Sequence, residues 1–221
     1  MTSFAEHVGS AGKRTLTAFG DSITAGASVD VDVRWTNRLA SRLGLELRNK
    51  GISGTVLQNS PDATGHPRAD NGFSRFQRDL LGEDRSDFIA ILYGTNDARH
   101  TGAPQSLNHV GFVRDFSAVL EGLLRYGYQP ESIVIGSPVH IPDAGFAVGD
   151  PEFTGQSRAA FETYVRSVRD LAGHFGTYYA PVNESMQAEG GDALVLPDHV
   201  HPNPAGHAVI ADAFTAATLI D

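Results

Sequence analysis

The 221-residue sequence predicts an α/β fold: a parallel sheet of five strands with helices on both faces. Three observations carry the expectation. Short apolar runs alternate with longer segments of helical period along the whole chain. One run, Phe88-Ile89-Ala90-Ile91-Leu92-Tyr93, is apolar throughout, as a strand covered on both faces must be. The polar, glycine-rich clusters follow directly on these runs, where an open parallel sheet places its ligand site.

The predicted strands are 16–19, 45–48, 88–93, 133–137 and 177–180. Between the first two, Trp35, Leu39 and Leu43 recur every fourth residue, with Asp32 as the expected cap. Val113, Phe116, Leu120 and Leu123 mark one face of a helix beginning near Ser106, and Phe161, Tyr164, Val165, Val168 and Leu171 mark another. The last helix is the clearest, with Asn203 as cap, Pro204 in its first position, then Val209, Ile210, Ala213, Phe214 and Ala217. Residues 58–72 and 138–152 read as long loops, which in a domain of this size are often functional. No repeat, low-complexity tract or linker divides the chain, so residues 1–221 are expected to form a single domain.

Composition narrows the function. The formal net charge is -9, and no run of lysine or arginine offers a footprint for a phosphate backbone or an anionic membrane. Nucleic acid is therefore not an expected partner, and a small molecule is. The absence of cysteine excludes disulfides, thiolate nucleophiles and Cys-ligated zinc. Residues 1–14 hold no apolar core of a leader, and no stretch reaches the length of a membrane span. A cytoplasmic location is the default expectation, which a secreted chain given without its leader would equally satisfy. His199 and His201 belong to no longer metal-ligand pattern and there is no His-Glu-x-x-His helix, so neither metal nor cofactor is expected. Gly9-Ser10-Ala11-Gly12-Lys13 is too short for a phosphate loop and precedes a strand instead of following one.

The clusters at the strand ends are Gly20-Asp21-Ser22, then Asn49-Lys50-Gly51-Ile52-Ser53-Gly54, Gly94-Thr95-Asn96-Asp97 and Ser137-Pro138-Val139-His140; Asp198-His199-Val200-His201 stands before the last helix. Together they suit acyl transfer. A serine hydroxyl needs an imidazole to take its proton, and the imidazole needs a third group to fix its tautomer. Asp198 and His201 lie three apart, so one turn brings the carboxylate to Nδ1 and leaves Nε2 for Ser22. The backbone N–H groups of Ser22 and Gly54 and the Asn96 amide are suitable oxyanion donors.

In order and type, the segments holding Ser22, Gly54, Asn96 and His201 resemble the four blocks of the SGNH hydrolases, or GDSL-type esterases and lipases. The resemblance runs from Phe19 to Phe214. It implies a flavodoxin-like three-layer α/β/α fold and a metal-free serine mechanism, and it is what selects Gly54 over Gly51, an ordinary turn glycine on this reading. Ile23 stands where the family name has leucine, and Thr95 where many members have a second glycine. The Gly-x-Ser-x-Gly elbow of the other large serine hydrolase class is missing.

Other residues compete for these roles. Asp21 is expected to shape its turn instead of acting as the acid. His199 follows Asp198 directly, so its side chain points away to solvent. His207 shares a helix face with Ile210 and Phe214 and is expected to be packed. His140 lies at the right sheet edge, either to touch substrate or merely to sit in its loop. Ile141, Phe146, Val148 and Phe153 either line an acyl pocket or pack the 138–152 loop down. The family spans acetylesterases acting on carbohydrates, lysophospholipases, thioesterases and aryl esterases, and acyl transfer to an alcohol would use the same residues. The reading favoured here is hydrolysis of short acyl esters, acetyl above all, of a carbohydrate or small metabolite. A non-catalytic binding module of the same fold would show damage to at least one of these residues, and none is damaged.

Overall fold

The computed structural model describes residues 2–82, 85–102, 106–148 and 156–220. Its strands are β1 (Thr15–Gly20), β2 (Glu46–Gly51), β3 (Phe88–Leu92), β4 (Ile133–Gly136) and β5 (Tyr178–Ala180), all parallel, in the order β2-β1-β3-β4-β5. This is the flavodoxin-like order. Each predicted strand is present to within a residue at either end, except that the second runs three residues further, to Gly51. Gly51, Gly20, Leu92, Gly136 and Ala180 pair in one continuous line across the sheet, so every strand ends at the same level. The three inner strands are buried along almost their whole length. β2, at the edge, carries Glu46, Arg48 and Lys50, charges that discourage pairing with another chain.

The helices are α1 (Phe4–Ala11), α2 (Ser22–Ala25), α3 (Trp35–Leu43), α4 (Gly72–Leu80), α5 (Thr95–Arg99), α6 (His109–Arg125), α7 (Arg158–Phe175), α8 (Val182–Glu189) and α9 (Pro204–Thr215). On one face of the sheet α1, α3, α8 and α9 pack together; on the other, α4, α6 and α7 do. α3 and α9 are clasped by Trp35 stacked on Phe214, with ring centroids 4.6 Å apart, and by an Arg42–Asp212 ion pair. Pro204 and Asn203 begin α9 as expected, with the Asn203 side chain accepting from Ala205 and Gly206 N–H.

Two helix starts differ from expectation. Asp32 caps nothing: it lies in a 3₁₀ turn, Val31–Val33, and α3 begins at Trp35 with Arg34 in the cap position. The helix expected from near Ser106, α6, starts at His109 because Asn108, not Ser106, accepts the Gly111 N–H. Residues 143–147 of the second predicted loop form a 3₁₀ turn.

Candidate active site

The order in which strands are added reverses at β1, since β2 and β3 flank it on opposite sides, and the crevice of such a sheet opens at that switch. Ser22 leaves the end of β1 as the first residue of α2. Asp21 is the cap, its carboxylate accepting the Ile23 N–H at 2.9 Å. This is the scaffolding role expected of Asp21. The helix can lie this close to β2 because residue 51 has no side chain: a Cβ there would overlap the backbone of Thr24 and Ala25. Gly51 is therefore a contact glycine ending a strand rather than an ordinary turn glycine.

The segment before α9 brings its imidazole to this serine. Ser22 Oγ lies 2.9 Å from His201 Nε2, and His201 Nδ1 lies 2.7 Å from Asp198 Oδ2. The other carboxylate oxygen of Asp198 accepts the backbone N–H groups of Val200 and His201, both at 2.9 Å. Partial burial works to raise the Asp198 pKa, but these bonds and the imidazole outweigh it and hold the carboxyl below its ordinary range. Ser22 is buried, whereas Asp198 is 42% exposed, so the line of groups runs from interior to solvent.

The residues expected to donate to an oxyanion follow neighbouring strand ends. Gly54 is exposed, and its N–H makes no hydrogen bond among the described residues; the same holds for the Ser22 N–H. Asn96, at the start of α5, is buried and gives one amide hydrogen to Thr55 O at 2.9 Å, leaving the second. Its Oδ1 accepts from the Arg99 guanidinium at 3.0 Å, which fixes which way the amide faces.

Arg99 and Arg75 were not anticipated. Arg99 is buried; burial lowers its pKa, and the nearby Asp21 and Asp198 charges oppose that. It also donates to Gly145 O at 3.3 Å and to Val148 O, tying the 143–148 turn to Asn96. Arg75, in α4, is 2% exposed and lies beneath the strand ends. It donates to Gly20 O and Lys50 O at 2.9 Å each, to Tyr93 Oη at 2.6 Å and to Asp79 at 2.6 Å, with its guanidinium 4.1 Å above the Phe19 ring. Tyr93 Oη in turn meets Thr55 Oγ1 at 2.9 Å. A buried polar chain thus links Arg75, Tyr93, Thr55, Asn96 and Arg99 beneath the serine. Asp97 accepts from Leu57 N, Gln58 N and Gln58 Nε2; burial pushes its pKa up to about 6 against those bonds, and pushes Asp21 up to about 7.

The remaining named residues lie elsewhere. His199 is exposed and His207 is fully buried, its Nδ1 accepting the Trp35 N–H at 3.2 Å. His140 is buried and bonded through Nε2 to Asp192 at 2.8 Å, lining a separate cavity with Arg158 and Glu162. Ile141 has no exposed surface and belongs to the core, so it has none to offer a substrate. Phe146 packs edge-on against Phe161 and under the Arg158 guanidinium, so it holds the turn down. Val148 is partly exposed, and Phe153 lies outside the described residues.

On this fold, with a serine, a histidine and a carboxylate in one hydrogen-bonded line, the chain is a serine carboxylic ester hydrolase. It belongs to the GDSL-like lipase/acylhydrolase family, whose model matches residues 18–209. It is similar to an acetylxylan esterase of Geobacillus stearothermophilus, 26% identical over 178 residues, which cover 78% of this chain and 71% of that one. Among solved structures, a lipase/acylhydrolase from Enterococcus faecalis superposes with a TM-score of 0.68 at 18% identity, covering 94% of this chain and 99% of its own. The crystal structure of the Geobacillus stearothermophilus acetylxylan esterase gives 0.66 at 21%, covering 92% of each chain. At these identities the structural likeness bears on the fold.

Proposed function

We propose that the protein hydrolyses short-acyl esters, acetyl esters above all, of a carbohydrate or other small polar alcohol, through an acyl-enzyme on Ser22. The observation that carries this reading is the Ser22 Oγ–His201 Nε2 distance of 2.9 Å with Asp198 on the far ring nitrogen. Ser22 Oγ bonds to the ester carbonyl carbon while His201 Nε2 takes its proton. Ser22 N–H, Gly54 N–H and the free Asn96 amide hydrogen hold the oxyanion. The carbon–oxygen bond to the alcohol breaks and His201 returns the proton to it. Water then attacks the acyl carbon, giving its proton to His201; the bond to Oγ breaks and the serine is reprotonated.

Two further points support a short acyl group on a polar alcohol. Among the described residues the exposed large apolar side chains are Val31, Val110, Tyr126 and Val148, scattered on separate segments, where a lipid tail would want a continuous apolar surface. The acetylxylan esterase of Geobacillus stearothermophilus is a relative across most of the chain.

The test is a kcat/KM profile over p-nitrophenyl acetate, butyrate and octanoate, with Ser22→Ala as control and mass spectrometry of the trapped acyl-enzyme. Acetate should be the best substrate, and Ser22→Ala should lose about 10⁴-fold or more while melting as the parent does. Activity that rises with chain length would overturn the substrate assignment, and activity surviving in Ser22→Ala would overturn the mechanism.

A further inference from the structure

A cleft of about 660 Å³, within the range of small-molecule sites, is lined by Ala25, Ser53, Pro204 and much of the stretch from Gly26 to Arg34. Three of the lining residues stand next to groups of the reaction. Ala25 is on α2 with Ser22, Ser53 adjoins Gly54, and Pro204 follows His201 by three residues. The leaving alcohol must depart past His201, since that imidazole protonates it. The cleft between the Pro204 side and α2 is where that half of the ester goes.

Its chemistry is that of a polyol site. The side chains nearest α2 are short, and the polar groups are the Ser53 and Ser28 hydroxyls, the Asp30 carboxylate and the Arg34 guanidinium, so donors and acceptors are both present. Ser28 has a left-handed backbone, at φ 70. Arg34 is positioned before substrate arrives. Its stem lies across Gly26, where a Cβ would overlap Cγ, Cδ and Nε, and the backbone just after it is tied down by the Trp35 N–H bond to His207. Its Nε is buried and has no hydrogen-bonding partner among the described residues. A lipid or simple alkyl alcohol would desolvate these groups without replacing their hydrogen bonds.

We infer that this cleft binds a polyhydroxylated alcohol as the leaving half of the ester, with Arg34 as the donor that selects it. The inference rests on the ester-hydrolase reading above and adds the residue that sets its specificity. The measurement is the ratio of kcat/KM for a monoacetylated methyl xyloside to that for vinyl acetate, whose alcohol is too small to fill the cleft. In Arg34→Met, which keeps the stem but loses the donors, the ratio should fall about 10- to 100-fold, the range for a charge-assisted hydrogen bond, chiefly through KM. Arg34→Lys should recover part of it. Ala27→Phe, which adds a large side chain at another lining position, should lower the same ratio and serves if Arg34→Met does not fold. A parent enzyme that hydrolyses the monoacetylated xyloside with a ratio unmoved by Arg34→Met and Ala27→Phe would overturn the assignment. So would a parent that cleaves vinyl acetate but no acetylated sugar, which would leave the serine mechanism standing; loss of both activities in the parent would instead strike the reading on which this one rests.

Discussion

Asp198 has two tasks that one substitution separates. Its Oδ1 holds the Val200 and His201 backbone, and its Oδ2 faces His201 Nδ1. In Asp198→Asn the backbone bonds survive, but an amide hydrogen now faces Nδ1. The ring then carries its proton on Nε2, where it cannot accept one from Ser22. We expect kcat to fall on the order of 10²- to 10⁴-fold with KM and melting temperature little changed, measured by steady-state kinetics and thermal unfolding. Asp198 and His201 were readable in the sequence because their relation is local, three residues in one turn. Arg99 was not. A charged residue after Asn96-Asp97 reads as surface, and only the return of residues 143–148 over it, 46 positions away along the chain for Gly145, makes it a buried partner of Asn96.

At the scale of elements, the sheet and the long helices followed from periodicity, whereas α1, α4 and α8 were not foreseen. The signals were short. Ser3 and Glu6 form a capping box for α1, and Asn71 caps α4 before Phe73, Phe76 and Leu80. In α4 an arginine occupies a core position, which breaks the apolar pattern that would have marked the helix. That arginine joins the ends of β1 and β2 to Tyr93 at the end of β3, the level from which Ser22, Gly54 and Asn96 depart. Arg75→Met would remove the guanidinium bonds to Gly20 O, Lys50 O, Tyr93 Oη and Asp79, leaving Gly20 O with the Ile52 N–H and Asp79 with Arg78. The expected cost is about 1–3 kcal/mol in urea unfolding, with kcat reduced because three strand ends lose their common tie.

For the whole molecule, the parallel sheet was legible in the alternation of runs, but the strand order was implied only by the family resemblance, because order depends on which side each crossover takes. Folding also buries ionisable groups whose effects on pH oppose one another. Burial, helped by the positive charges of Arg38, His201 and Arg34, lowers the His207 pKa from 6.5 to about 4, so the unfolded chain binds its proton first. The stability His207 withholds grows as pH falls from 6.5 to about 4 and amounts to roughly 3 kcal/mol. Asp21 and Asp97, raised to about 7 and about 6, act the other way: their contribution is complete at low pH and is lost as pH rises through those values. In His207→Gln the balance should tip, so that the variant gains roughly 3 kcal/mol relative to the parent between pH 7.5 and pH 4, read from urea midpoints at both. The α3–α9 clasp has a different kind of consequence. The segment from Gly26 to Arg34 is fixed at one end by the Gly26 N–H on Ser22 O and at the other by Trp35 on His207, while Val31 at its crest lies open to solvent. Doubling the length of such a loop costs only about 0.6 kcal/mol. A lineage can therefore recut this stretch, by insertion or replacement, and change which alcohols the enzyme releases while the serine and its histidine are inherited untouched.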